Sequence, residues 1–269
     1  MIQIFDLPPG GLQDGAVAQK EDTIEKDEDQ NRFSTPTPEE PAGSNAGGMA
    51  ISMRPKLAVD IMRVEIPLDV IGELNSHIDD EIIPARKDQS NELVGQINRN
   101  ERSAQWNFPH NDDGVGEQFS SVLCRLGKDY VKHAIDMNVE TDIQTMWTIH
   151  SYEGDYNPMH DHGTSTPMGL SCILYLKVPP QIEALNNPAE NFAGLNGANG
   201  AVDGFTYLCW GSNGMRDINM LRPITEEYVK PEVGTLIMFP AWLRHGVMPF
   251  FGEGERRTFS ANLNVTPTK

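Results

Sequence analysis

Positive charge is scarce in this chain: 21 Lys and Arg stand against 39 Asp and Glu over 269 residues, a formal net charge of −18. Such a balance repels phosphate backbones and anionic membrane surfaces, so neither nucleic acid nor membrane is expected as a partner. Cysteine is scarce too. Cys124, Cys172 and Cys209 are odd in number and form no CxxC, which excludes a disulfide framework and zinc-finger spacing. They are read as small residues of a reduced interior. No run approaches the roughly 20 apolar residues of a spanning helix. Met1–Gly10 has neither the basic start nor the apolar stretch of a secretion signal. A cytoplasmic location is expected.

The first fifty residues lack apolar material. Ten acids against Lys20, Lys26 and Arg32, with five prolines and six glycines, cannot bury enough surface to offset the entropy of ordering. Residues 1–50 are therefore expected to be a disordered acidic tail, and 51–269 a single domain. Within it, 51–140 is read as helical support and 141–269 as a β-rich core. Met53–Pro67 reads as extended, and Leu68–Ile83 has helical apolar spacing that Pro84 is expected to stop. Phe119–Met137 repeats the helical spacing and is expected to pack on a sheet. From Asp142 onward, short strands alternate with turn residues: Ile143–Tyr152, Gly169–Val178, Gly204–Trp210, Gly234–Phe239 and Arg256–Val265. Glu153–Asp155 is read as a turn and Asn186–Gly204 as a long surface loop. Helices first and strands later predict an α+β chain whose core is a sandwich or jelly roll.

Seven histidines are present, and His77, His110, His133 and His150 read as surface or capping residues. His160 and His162 differ, because on an extended chain alternate side chains share a face and both rings can reach one metal ion. His245, beyond the Gly234–Phe239 strand, offers a third nitrogen. Three such donors leave open positions suited to redox-active iron(II), although an HxH pair alone is equally compatible with no metal at all. Arg256 and Thr258 fall on one face of the last strand and Arg257 on the other, where it is expected to be exposed. An inward Arg256 with the Thr258 hydroxyl can grip a carboxylate, whereas an outward one would be an ordinary edge-strand arginine.

The stretches YEGDYNPMHDH (152–162), LSCILYLKVP (170–179), DGFTYL (203–208), PEVGTLIMFPAWLRHGVMPF (231–250) and GEGERRTFSANL (252–263) carry a resemblance. In order and spacing they are similar to the iron(II)- and 2-oxoglutarate-dependent oxygenases, in particular a small double-stranded β-helix subgroup of marine bacteria and phages. The resemblance covers a little under half of the chain. It implies a jelly-roll core supported by N-terminal helices, with iron(II) and 2-oxoglutarate as cofactors. It further implies hydroxylation of a small-molecule or peptide substrate, a prolyl side chain for instance, at the expense of molecular oxygen. By the same resemblance His160 and His245 bind iron, Arg256 pairs with the far carboxylate of 2-oxoglutarate, Thr258 assists it and Tyr152 contacts the cosubstrate. The wider superfamily has His-x-Asp where this chain has His160 and His162. A three-histidine site is expected, with Asp161 as the alternative third ligand if the chain is bulged there. The rival reading is a cupin-like metal-binding or structural jelly roll, which would need no Arg256 or Thr258. The segments Asn107–Glu117 and Asn186–Gly204 are candidates for the mouth of the site.

Overall fold

The computed structural model describes residues 59–95, 104–111, 114–187, 199–214 and 223–268. The expected acidic tail lies outside them, as does most of the loop between 186 and 204. Apolar alternation sets the first element, β1 (Met62–Glu65), and Pro67 then opens α1 (Leu68–His77), whose Val70, Ile71 and Leu74 are buried. Pro84 does not stop this helix. A wider π turn over Ile78–Ile82, in which the Ile83 N–H reaches back to the Ile78 carbonyl, precedes a last turn α2 (Ile83–Ala85) that contains the proline. The missing proline N–H is absorbed at this irregularity. The chain turns off one residue later, where Arg86 is left-handed at φ 50°.

A single 3-10 turn (Ser90–Glu92) leads to β2 (Ala104–Asn107). The second long helix, α3 (Val115–Ile135), starts four residues before the apolar pattern does and buries Phe119, Val122, Leu123, Tyr130 and Val131. There follow β3 (Val139–Ser151), β4 (Asn157–His160), β5 (Met168–Lys177), a short α4 (Pro180–Glu183), β6 (Thr206–Cys209), β7 (Glu226–Val229), β8 (Thr235–Pro240), β9 (Arg244–Val247) and β10 (Arg256–Pro267). All five strands expected from the sequence are present. The segment 51–140 is more than helical, because β1 and β2 supply the two edges of the larger sheet.

Among the described residues, these ten strands form two antiparallel sheets. The larger has the order β1-β8-β5-β10-β3-β2 and the smaller β4-β9-β6-β7. Ile173, Tyr175, Ile237 and Phe239 of the large sheet meet Leu208 and Val229 of the small one in an apolar cluster. On the other side of the large sheet, Phe259 is fully buried and meets Phe108 and Phe119 edge-on, at ring distances of 5.1 and 5.0 Å. Gly127 lets α3 lie close to this sheet, since a Cβ there would come within 3.1 Å of Leu263 and 3.3 Å of Thr141. Strand β10 is thus central and two-sided. Phe259, Ala261 and Leu263 belong to the helix side, and Arg256, Thr258, Ser260 and Asn262 to the space between the sheets. Among the described residues no helix is long and apolar enough to cross a membrane.

Candidate active site

A cavity of about 210 Å³ lies between the sheets, and His160, His162, His245, Arg256 and Thr258 all line it. Two of the histidines face each other by strand register. His160 ends β4 directly opposite His245 on β9. His162 follows β4 and is held by its backbone N–H, which donates to the Ala241 carbonyl at 2.9 Å. Its ring stacks on Trp147 (5.7 Å between centroids, 28° between planes) and on His245 (5.0 Å, 14°). One ligand atom from each of the three histidines lies within 4.8 Å of the others. Asp161, the alternative, lines the cavity but is outside this group and is exposed.

Electrostatics keep the rings of His162 and His245 neutral. Burial, reinforced by the neighbouring His160, pushes His245 down to about 3, and the same two effects push His162 down to about 4 against a partial offset from Asp161. Neutral imidazole is the form that donates a lone pair to a metal. His160 and His245 are also oriented: each places Nδ1 on a backbone carbonyl, Pro158 at 2.7 Å and Leu243 at 3.0 Å. Nδ1 must therefore carry the hydrogen, which leaves Nε2 as the free donor. Three convergent imidazole nitrogen donors fit a divalent transition metal.

Arg256 is 1% exposed, and its charge has no carboxylate partner among the described residues. Nε donates to the Gly204 carbonyl at 2.8 Å and Nη2 to the Thr206 hydroxyl at 3.3 Å. The Tyr175 ring lies 5.4 Å from the guanidinium carbon, and its hydroxyl donates to the same Thr206 oxygen at 2.7 Å. Burial holds Arg256 below its ordinary pKa. A buried guanidinium with neutral neighbours and N–H groups to spare is matched to an anionic ligand.

Three expectations need correction. Tyr152 does not line the cavity. The β3 residues that do are Thr145, Trp147 and Ile149, and Tyr152 follows the end of that strand. The tyrosine beside the arginine is Tyr175 instead. Arg257 does lie opposite Arg256 but is buried, not exposed. It donates to Glu255 (2.8 and 3.2 Å), Asp79 (2.6 Å) and Asn75 (3.1 Å). His150 is likewise a buried member of this network, with Nδ1 2.6 Å from Glu255. Both were misread because Asn75 and Asp79, which meet Arg257, and Glu255, which meets His150, are more than one hundred positions away in sequence. Sequence reasoning also missed Trp147, Ser171, Tyr175 and Thr206. The one available signal was a polar or bulky residue within an otherwise apolar strand.

Residues 145–262, a little under half of the chain, match the model of a family described as "Putative 2OG-Fe(II) oxygenase". Over this stretch the chain is similar to the 2OG-Fe(II) oxygenases. The stretch contains every residue of the cavity wall named above, and the family's cofactors are iron(II) and 2-oxoglutarate. Among solved structures, EctD from S. alaskensis in its apo form is 15% identical with a TM-score of 0.50, over 77% of this chain and 73% of that one. A prolyl-4-hydroxylase from Pseudomonas putida is 13% identical, with a TM-score of 0.45 over 78% and 94%. HygX from Streptomyces hygroscopicus, with nickel and 2-oxoglutarate bound, is 11% identical, with a TM-score of 0.47 over 78% and 84%. No curated protein sequence shows significant similarity.

Proposed function

We propose that residues 51–269 form one oxygenase domain, with the two sheets as its double-stranded β-helix, and that it hydroxylates a prolyl or other side chain of a peptide. His160, His162 and His245 hold iron(II) through Nε2. Arg256 receives the far carboxylate of 2-oxoglutarate, and Thr258, two residues along the same face, contributes its hydroxyl. When bound, iron(II) and 2-oxoglutarate together supply the oxidising power, consuming O₂, releasing succinate and CO₂, and inserting one oxygen atom into a substrate C–H bond.

The protein's own share is positioning and shielding. The two backbone-anchored histidines present lone pairs without rearrangement, and burial keeps His162 and His245 unprotonated at neutral pH. Arg256 fixes the cosubstrate in register with the metal, while Tyr175 and Thr206 fix Arg256. Glu92 and Asp161 at the cavity wall are exposed carboxylates, which disfavour an anionic substrate and suit an uncharged or basic peptide.

The single observation that carries this reading is the buried, carboxylate-free Arg256 on the wall of the cavity that holds the three histidines. A cupin-like metal-binding protein would have no use for it. Anaerobic titration with iron(II) and 2-oxoglutarate tests it: a metal-to-ligand charge-transfer band is expected only when both are present. Iron binding with no spectral response to 2-oxoglutarate would favour the cupin-like alternative.

A further inference from the structure

The third histidine is anchored differently from the other two. His160 and His245 direct Nδ1 to backbone carbonyls, which only accept. His162 directs Nδ1 to the side-chain amide nitrogen of Asn262, at 3.1 Å, and an amide NH₂ only donates. In this arrangement His162 Nδ1 accepts, so its hydrogen sits on Nε2. The rest of the chain of bonds agrees. The Ser171 hydroxyl donates to Asn262 Oδ1 at 2.7 Å. His162 Nε2 lies 3.2 Å from His245 Nε2, whose lone pair is free because its Nδ1 carries the hydrogen. Ser171, Asn262, His162, His245 and the Leu243 carbonyl thus form one directional series in which every donor meets an acceptor.

That series is self-consistent without metal and incompatible with it. A metal on His162 Nε2 displaces the hydrogen to Nδ1, where the Asn262 NH₂ would meet it donor to donor. Asn262 and Ser171 are 5% and 3% exposed, so water is poorly placed to relieve the clash. A half-turn of the Asn262 amide resolves it without moving the backbone. Oδ1 then accepts from His162 Nδ1–H, and Nδ2 donates to the Ser171 oxygen, whose hydroxyl rotates from donor to acceptor.

We propose that Asn262 is a positioning residue that turns its amide over on metal loading, with Ser171 as its reversible partner, and so selects the tautomer in which His162 serves as third ligand. The inference rests on the three-histidine reading above. Asn262 acts only through His162 and touches neither metal nor cosubstrate in this role.

The test uses the full chain, ¹⁵N-histidine labelling and Zn(II) alone as a diamagnetic probe. Two-bond ¹⁵N–¹H correlations should show His162 protonated on Nε2 without metal and on Nδ1 with Zn(II), while His160 and His245 keep Nδ1–H in both. In N262D the carboxylate only accepts, and His162 should carry Nδ1–H before zinc is added. N262L should weaken Zn(II) by roughly 10–100-fold, the range for lost outer partners of ligating histidines, and N262D should restore tight binding. If metal-free His162 already carries Nδ1–H, or N262L binds zinc as tightly as wild type, the proposal is overturned. If instead zinc binds and His162 keeps Nε2–H, while H162A binds as well as wild type, the three-histidine reading itself fails. N262D covers the case in which N262L does not fold.

Discussion

Replacing Arg256 by methionine keeps much of the side chain's volume and removes its charge. Without cosubstrate, the guanidinium is desolvated and paired only with the Gly204 carbonyl and the Thr206 hydroxyl. Exchanging buried charges for apolar side chains of similar volume is often neutral or stabilising, by about 1–4 kcal/mol. The melting temperature of ligand-free R256M should therefore stay level or rise. The cosubstrate should be affected in the opposite sense. Truncating one partner of a buried charge pair costs about 2–5 kcal/mol, at least about tenfold in affinity. At a 2-oxoglutarate concentration about one hundred times its Kd, the wild type gains about 2.7 kcal/mol from ligation, or roughly 5–11 °C for a domain of this size. R256M should gain about half of that or less. R257M should behave inversely. It leaves Glu255 and Asp79 without their shared cation, and because Asp79 is 47% exposed and Lys177 stays near, the cost is about 2 kcal/mol and not the 3–5 of a fully buried pair. Its melting temperature should fall by roughly 4–8 °C, with 2-oxoglutarate affinity within twofold of wild type. Anaerobic charge-transfer titration and thermal melting of both variants measure the two effects separately. R256M binding 2-oxoglutarate within threefold of wild type would refute the reasoning.

H160A, H162A and H245A should each lose iron binding by calorimetry while keeping the circular dichroism of the wild type; loss in D161A with retention in H162A would make the ligand set His160, Asp161 and His245. Stability against pH should fall on the acid side through Glu255. Burial alone would raise its pKa, but hydrogen bonds from His150 and Arg257 outweigh burial and hold it at about 2 against an ordinary 4.5. A carboxyl depressed on folding stabilises fully above its unfolded pKa and progressively loses that contribution as pH drops from about 4.5 towards 2. At about 1.4 kcal/mol per tenfold, the stake is roughly 3–4 kcal/mol. Denaturant melts of E255Q should show a shallower decline across that window, and an unchanged slope would contradict the assignment. Deleting residues 1–48, which offer few apolar groups, should leave iron affinity unaltered in the same titration.

The residues that could be read from sequence are those whose environment follows from their own strand. Alternation along 256–265 separated Arg256 from Arg257 correctly, because β10 is regular and buried on both faces. The HxH pair and the position of His245 were legible from local spacing. What alternation cannot convey is depth: both arginines are buried, and only the fold shows that Arg257 meets Asp79, some 178 positions away. Strands β4 (NPMH) and β9 (RHGV) have no apolar run, and their extended form is imposed by pairing with each other and with β6. Tyr152 took its role from the resemblance alone, and it lies just past the end of β3 and off the cavity wall. Asn262 stood on the inward face in plain view, but its meaning depends on His162, one hundred residues away.

The two ends of the proposed cosubstrate site are rooted in different sheets. His160 and His245 stand on the four-stranded sheet, and Arg256 on the six-stranded one, with its guanidinium reaching across to Gly204 and Thr206. A molecule of fixed length held at both ends then acts as a gauge of the gap between the layers. Trimming the apolar filling of that gap, at Leu208 or Phe239, would change the span and be felt first as weaker grip on the dicarboxylate, before any strand unpairs. Saturating cosubstrate should in turn slow amide exchange across β6, adding a tie between two layers already joined by apolar packing and by the hydrogen bonds of Arg256 and Tyr175 to Thr206.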